Sequence, residues 1–194
     1  MRLDCRGKLI NLNTPKILGI LNLTPDSFYD GGKFNVRDKS LKQCEKMLRE
    51  GATFIDVGAI STRPGASDLN LETEKKRLFP ILEALILNFP NSLFSIDTFR
   101  HEIAEESLKM GAVMINDISG GKFSSKMYDV ISEYDCPYVM MHRKGKSINM
   151  QKNPYYDDVV KEVTKFFKKQ IKTANNKGVN KIIIDLGFGF GKTI

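Results

Sequence analysis

Short apolar, β-branched runs alternate along this chain with longer segments whose apolar residues fall three or four apart, and that alternation restricts the fold more than any other feature. The runs cover residues 16–21 (KILGIL), 53–57 (TFIDV), 93–96 (LFSI), 113–115 (VMI), 138–141 (YVMM) and 181–184 (KIII), and such runs read as strands. Between them, Leu41, Cys44 and Leu48 mark one amphipathic helix, Leu78, Leu82 and Leu85 a second, and Ile103, Ser107 and Met110 a third,. Residues 127–134 predict a shorter fourth helix, and Val159, Val163, Phe166, Phe167 and Ile171 a long fifth. Gly51, Gly111 and Gly178 stand where a glycine closes a helix,. Strand and helix in strict alternation predict a parallel sheet with helical crossovers.

Parallel units build either an open doubly wound sheet or a closed barrel. The polar residues at the ends of the predicted strands decide between them. The six predicted strands are read as ending in Asn22, Asp56, Asp97, Asn116, His142 and Asp185, polar residues for which an apolar core has no use. A barrel gathers all its strand ends around one axis, whereas an open sheet brings together only those at its switch point. The expected fold is therefore an α/β (β/α)8 TIM barrel. Such a barrel takes about 250 residues, and this chain of 194 residues ends just after its sixth predicted strand. About six of eight strands are expected here, with the first and sixth as open edges.

Composition narrows the partners. Thirty Lys and Arg against 23 Asp and Glu leave a net charge of +7, but the lysines recur on nearly every predicted helix instead of forming one patch. Solvated helix faces are the expected reading, an anionic small substrate is compatible, and nucleic acid is not expected. Cys5, Cys44 and Cys136 form no CxxC pair and suggest reduced thiols in a cytoplasmic protein,. The first residues are polar, without the apolar run of a signal peptide, and no stretch is long and apolar enough for a membrane span,.

Three Gly/Pro-rich loops follow strands, which places them over the barrel mouth. Residues 22–32 form a connection too long for a plain turn, with several polar groups. Residues 58–65 combine Ser61, Thr62 and Arg63, a set of donors suited to an anionic oxygen,. Residues 185–193 are glycine-rich but fit neither nucleotide motif. A P-loop needs glycine where Leu186 stands, and a GxGxxG fingerprint beginning at Gly187 needs one where Lys192 stands,. Phe188 and Phe190 are expected over the mouth. Asp97, Asn116 and Asp185 together offer two carboxylates and an amide, which match the N–H and carbonyl edge of an aminopyrimidinone. Taken alone, Asp97 reads equally well as a helix N-cap.

The segments 20–32 (ILNLTPDSFYDGG), 55–65 (IDVGAISTRPG), 95–98 (SIDT), 115–118 (INDI), 141–142 (MH) and 187–192 (GFGFGK) resemble, in order and spacing, the dihydropteroate synthases of folate biosynthesis. The resemblance implies one pterin-binding barrel domain over residues 1–194, lacking the family's late Lys-Ser-Arg and Arg-x-His segments. It implies a transferase that joins 6-hydroxymethyl-7,8-dihydropterin pyrophosphate to p-aminobenzoate, giving 7,8-dihydropteroate and pyrophosphate. Asn22 would hold Mg²⁺ and the pyrophosphate, and Thr62 and Arg63 would meet the phosphates. Asp97, Asn116 and Asp185 would grip the pterin, while Phe28, Pro64 and Phe190 would form the p-aminobenzoate pocket. Asp97 and Arg63 would be the catalytic groups, one beside the developing positive charge and one beside the leaving group. A homodimer is compatible with a full-length chain, and activity of these 194 residues alone is not expected at a useful rate. Leu186 replaces a proline common in the family, and Ala59-Ile60 replace a glycine and a glutamate. Two other readings share the pterin-binding character: a methyltetrahydrofolate-binding methyltransferase, which has no use for a pyrophosphate loop, and a non-catalytic remnant.

Overall fold

The computed structural model describes residues 1–23, 33–60, 69–145, 150–151 and 153–193, and the side chains of residues 33–35 are not described. Two strands, β1 (Arg2–Cys5) and β2 (Lys8–Asn11), come first, then β3 (Leu18–Asn22), α1 (Lys33–Arg49), β4 (Phe54–Gly58), α2 (Leu71–Asn88) and β5 (Leu93–Asp97). The chain continues through α3 (His101–Met110), β6 (Met114–Asp117), α4 (Met127–Tyr134), β7 (Tyr138–Met141), α5 (Val159–Asn176) and β8 (Ile182–Asp185). Strands β3 to β8 form one parallel sheet in sequential order, as expected of barrel units. Burial grades across it. Strands β4 and β7 are buried throughout, whereas β3 and β8, the sheet's edges, are partly exposed.

The six runs predict the strands to within two residues, since β-branched residues favour a sheet covered on both faces. One placement differs. Asp56 lies in the middle of β4, not at its end, and is buried. Helix starts follow local chemistry: the Asn70 side chain accepts from Thr73 N at 2.8 Å to open α2, and Asp158 accepts from Lys161 N at 3.0 Å to open α5,. Asp97 is not a cap, because α3 begins after Arg100 without a side-chain cap bond.

Side chains alternate between the two faces of each strand. Leu21, Ile55, Val57, Phe94, Ile96, Ile115, Tyr138 and Met140 face the helices and form the main core with Leu78, Leu82, Leu85, Ile103 and Leu108. On the other face, at the strands' N-terminal ends, Phe54, Leu93, Val113, Met114 and Val139 form a second cluster with Leu3 and Cys5. Those two residues come from the β1–β2 hairpin, an element absent from the expected architecture. Its two-residue turn places Arg6 at φ 55° and Gly7 at φ 90°, the left-handed pair that a tight hairpin requires. Arg6 donates to the carbonyls of Leu108 (2.6 Å) and Ala112 (2.8 Å), and Lys181 bonds Asp4 (2.6 Å) and Asp135. The hairpin therefore closes the bottom of the sheet and leaves its polar C-terminal end free to serve as a site.

Residues so near a terminus usually tolerate change, but Leu3 is part of this cluster. Leu3→Ala is expected to cost about 2–5 kcal/mol, as for a buried leucine elsewhere. Urea unfolding checks this, and a loss below about 0.5 kcal/mol, the surface value, would show the hairpin to be dispensable.

Candidate active site

Parallel pairing puts Asn22, Gly58, Asp97 and Asn116 on a single rung across β3, β4, β5 and β6. Partners on a rung share a face, so the two amides and the carboxylate point to the same side. Gly58 leaves a gap between them. A Cβ at Gly58 would lie 3.3 Å from Asp97 Oδ2 and 3.6 Å from Asn22 Oδ1. Two residues below Gly58, and therefore on the same face, stands Asp56. Asn116 Nδ2 donates to Asp56 Oδ2 at 2.9 Å.

This is a dry place for charge. Burial pushes Asp97 well above the usual carboxylate range, and the negative charges of Asp56, Asp117 and Glu74 push it further; the Arg143 guanidinium pulls the other way. Burial also raises Asp56, against the hydrogen bond from Asn116. The side chain of Asp97, half-buried, makes no hydrogen bond to another described residue, and Asp56 Oδ1 and Asn116 Oδ1 are fully buried without a hydrogen-bond partner. Buried polar groups left this way cost about 1–3 kcal/mol each. A ligand bringing N–H groups would recover that loss.

Around the rung, a second set of residues shapes the connections. Asp117 faces the helices and accepts from Tyr138 Oη (2.7 Å), Ser119 N (2.7 Å) and Gly121 N (3.0 Å), which fixes the turn after β6. Glu74 of α2, fully buried, accepts from Thr98 Oγ1 at 2.9 Å and from Arg100. Arg143 stacks on Phe123, and Phe123 meets Phe99 edge-on. His142 follows β7 and packs on Phe166; burial first, then Lys192 and Lys122, hold its pKa at about 4, so it is neutral at pH 7. No thiol is poised as a nucleophile, because burial lifts Cys5 and Cys44 to about 11 and Cys136 to about 12,.

Not all the expected residues meet. Asp185 closes β8 at the sheet edge, two positions beyond Ile183, which pairs with Val139. It is exposed, and its Oδ1 accepts from Gly187 N at 2.8 Å instead of joining Asp97 or Asn116. Phe190 is partly buried, but Phe188 is 85% exposed. With Tyr155, Val160 and Leu186 it lines a groove at the start of α5 instead of covering the mouth. Phe28, Thr62, Arg63 and Pro64 lie outside the described residues. Asp56, Gly58, Asp117 and Glu74 were not singled out from sequence as site residues. Asp56 carried a signal, an acid inside an apolar run, whereas a lone Glu on a helix face carried none.

Among the described residues no three His, Cys, Asp or Glu side chains form a metal cluster. The amide oxygen of Asn22 and the carboxyl of Asp97 both border the gap at Gly58. Mg²⁺ commonly takes one or two protein oxygens, usually carboxylate, and completes its shell with water and phosphate oxygens, so an amide oxygen beside a carboxyl is a donor set it could use.

A family model described as "Pterin binding enzyme" matches residues 18–194. The dihydropteroate synthase of Escherichia coli K12 is 40% identical over 196 residues, spanning 100% of this chain and 69% of the relative. Among solved structures, a Yersinia pestis dihydropteroate synthase in a sulfonamide drug complex superposes with a TM-score of 0.90 at 40% identity, covering 100% of this chain and 70% of that one. A Xanthomonas albilineans dihydropteroate synthase with 7,8-dihydropteroate gives 0.84 at 34% identity, covering 100% and 68%.

A carboxyl whose pKa is higher in the folded than in the unfolded state binds its proton more tightly when folded. The stability it adds is complete below the unfolded value and is lost as pH rises through the folded value. At neutral pH, Asp97 is therefore a destabilising group. Asp97→Asn is expected to raise the thermal midpoint at pH 7 by roughly 2–4 °C, the shift that about 1 kcal/mol produces in a chain of this size. The gain should shrink as pH falls. Calorimetric melts at pH 5 and pH 8 check this, and a variant melting below the parent at both would refute the assignment.

Proposed function

The chain belongs to the pterin-binding enzyme family as a dihydropteroate synthase of folate biosynthesis, and from that premise we propose how its strand ends carry out the condensation. The observation that carries the reading is Asp97: a half-buried carboxyl without a hydrogen-bond partner among the described residues, beside an amide and a second acid on one face. A pterin's amino and ring N–H groups are donors of the kind these oxygens lack. Asp97, Asn116 and Asp56 bind the pterin ring from below, with Asp185 approaching from the β8 edge.

The bond that breaks joins the pterin's methylene carbon to the pyrophosphate oxygen. As it lengthens, positive charge builds on the carbon and the electron-rich ring, and negative charge on the leaving group. Asp97, held in a site where charge is poorly screened, stabilises the first. Asn22, across the gap at Gly58, is the residue assigned to the second, and Thr62 and Arg63 would share that role, as the sequence resemblance implies. Asn22 is also the residue that would hold Mg²⁺, which when bound neutralises charge on the departing pyrophosphate. The amine of p-aminobenzoate attacks the carbon, loses its proton to solvent, and yields 7,8-dihydropteroate. Phe28, Pro64 and Phe190 would hold its ring, and positioning supplies much of the remaining rate. No protein nucleophile is used, in keeping with buried, unionised cysteines and a neutral His142. Cytoplasmic location and homodimeric assembly are further parts of the reading, the first supported by the three reduced thiols,.

Calorimetry with 6-hydroxymethyl-7,8-dihydropterin pyrophosphate and with methyltetrahydrofolate tests the reading. The pyrophosphate ester is expected to bind more tightly and to need Mg²⁺ for part of that affinity. Preference for methyltetrahydrofolate would overturn the choice. Asn116→Ala should weaken the pterin by about 1–3 kcal/mol, the range for a buried hydrogen bond with its partner left unsatisfied. Asn22→Ala should remove the Mg²⁺-dependent part alone.

A further inference from the structure

The glycine loop after β8 has three residues with left-handed backbone, Gly187 (φ 66°), Gly189 (φ 78°) and Gly191 (φ 66°). Such a sequence is flexible in isolation, because glycine has the largest backbone freedom to lose. Here its polar groups are held, and mostly from one place, the connection between β7 and α5. Gln151 grips the loop with both ends of its amide: Nε2 donates to Gly189 O at 2.5 Å, and Oε1 accepts from Gly191 N at 3.0 Å. Tyr156 Oη donates to Gly191 O at 2.8 Å. Lys192 turns back on its own loop and donates to Gly187 O (3.0 Å), Phe190 O (3.3 Å) and His142 O at the end of β7 (3.1 Å). Within the loop, Phe190 N donates to Gly187 O at 3.1 Å.

A lysine in a glycine-rich loop at the mouth of a phosphate-using site suggests a phosphate ligand. The geometry points elsewhere. An ammonium has three N–H donors, and all three carbonyl partners lie within hydrogen-bond reach. Burial also lowers the pKa of Lys192. The close approaches agree with a clamp: a Cβ at Gly187 would stand 2.1 Å from His142 O, and one at Gly191 would stand 2.1 Å from Lys144 O. The β7 connection and the loop touch backbone to backbone, and only glycine permits that.

We propose that Gln151 and Lys192 are positioning residues for the condensation. They lock the glycine loop onto the β7–α5 connection and thereby set Phe190 for p-aminobenzoate. This rests on the reading of Phe190 as part of the p-aminobenzoate pocket. Neither residue bonds to β5 or β6, so the pterin rung should not feel their loss.

The test uses Gln151→Ala, Gln151→Glu and Lys192→Met in the full 194-residue chain, with two readouts. Hydrogen exchange over residues 187–192 reports the clamp. Calorimetry of p-aminobenzoate, added to protein saturated with 6-hydroxymethyl-7,8-dihydropterin and pyrophosphate, reports the pocket without turnover. Gln151→Ala and Lys192→Met are each expected to speed exchange in the loop and to weaken p-aminobenzoate about tenfold, while dihydropterin affinity, set mainly by the rung on β5 and β6, falls far less. Gln151→Glu keeps the acceptor for Gly191 N but loses the donor to Gly189 O, and should fall between. Unaltered exchange would overturn the clamp. Faster exchange with unchanged p-aminobenzoate affinity, or equal loss of both ligands, would overturn the positioning role. If the parent chain binds dihydropterin but no p-aminobenzoate, the pocket reading itself fails, an outcome separate from a parent that binds and variants that bind equally well.

Discussion

Asp56 and Asp97 face the same side of neighbouring strands, Asp56 buried and Asp97 half-buried, and each ionised form is disfavoured by burial. Two carboxylates in such a place cannot both ionise cheaply. The surroundings lower that cost only in part. Asn116 gives one N–H to Asp56, and Arg143 acts on Asp97 from the β7 end. The remaining deficit can be met by donors that a ligand brings. Stability is therefore given up at the rung proposed to bind the pterin, a pattern in which strain at a site is offset by a well-packed scaffold. The scaffold here is the helix-facing core, from Leu21 to Met140, and the hairpin-sealed cluster below.

The parts of this arrangement legible in sequence are those set by short-range periodicity. Strand runs such as 138–141 and helix faces such as Leu78, Leu82 and Leu85 follow from which side must be buried, and that is written in residue spacing,. Asn22, Asp97 and Asn116 were legible because an acid or amide after an apolar run needs an explanation beyond packing. The β1–β2 hairpin was not. Its strands are four residues each, β2 is largely exposed, and its contribution depends on Leu3 and Cys5 reaching a cluster built from β4, β5, β6 and β7. The Arg6–Gly7 turn was the one local cue.

Asp56 shows a different limit. Its residue type was conspicuous, but its rank on the strand was misplaced, because a strand's length is set by its neighbours' pairing. Gly58 pairs with Asn22 on one side and Asp97 on the other, and this extends β4 two residues past Asp56. Gly58 itself gives no local sign of its role. Only the register reveals that its missing side chain opens the space between Asn22 and Asp97. Glu74 is harder still, since its partners Thr98 and Arg100 lie 24 and 26 residues away.

The two halves of the proposed chemistry thus rest on different kinds of support. The proposed pterin side is built from strand residues whose positions are fixed by ladder hydrogen bonds. The proposed aminobenzoate side draws on the loop at residues 187–192, and a loop can be equally exact only if its backbone groups are held one by one. For residues 187–192 that holding comes from Gln151, Tyr156 and Lys192. The division suits an ordered reaction. A rigid rung can hold and polarise the pterin first, whereas the proposed clamp on the glycine loop would hold Phe190 in place for the second substrate.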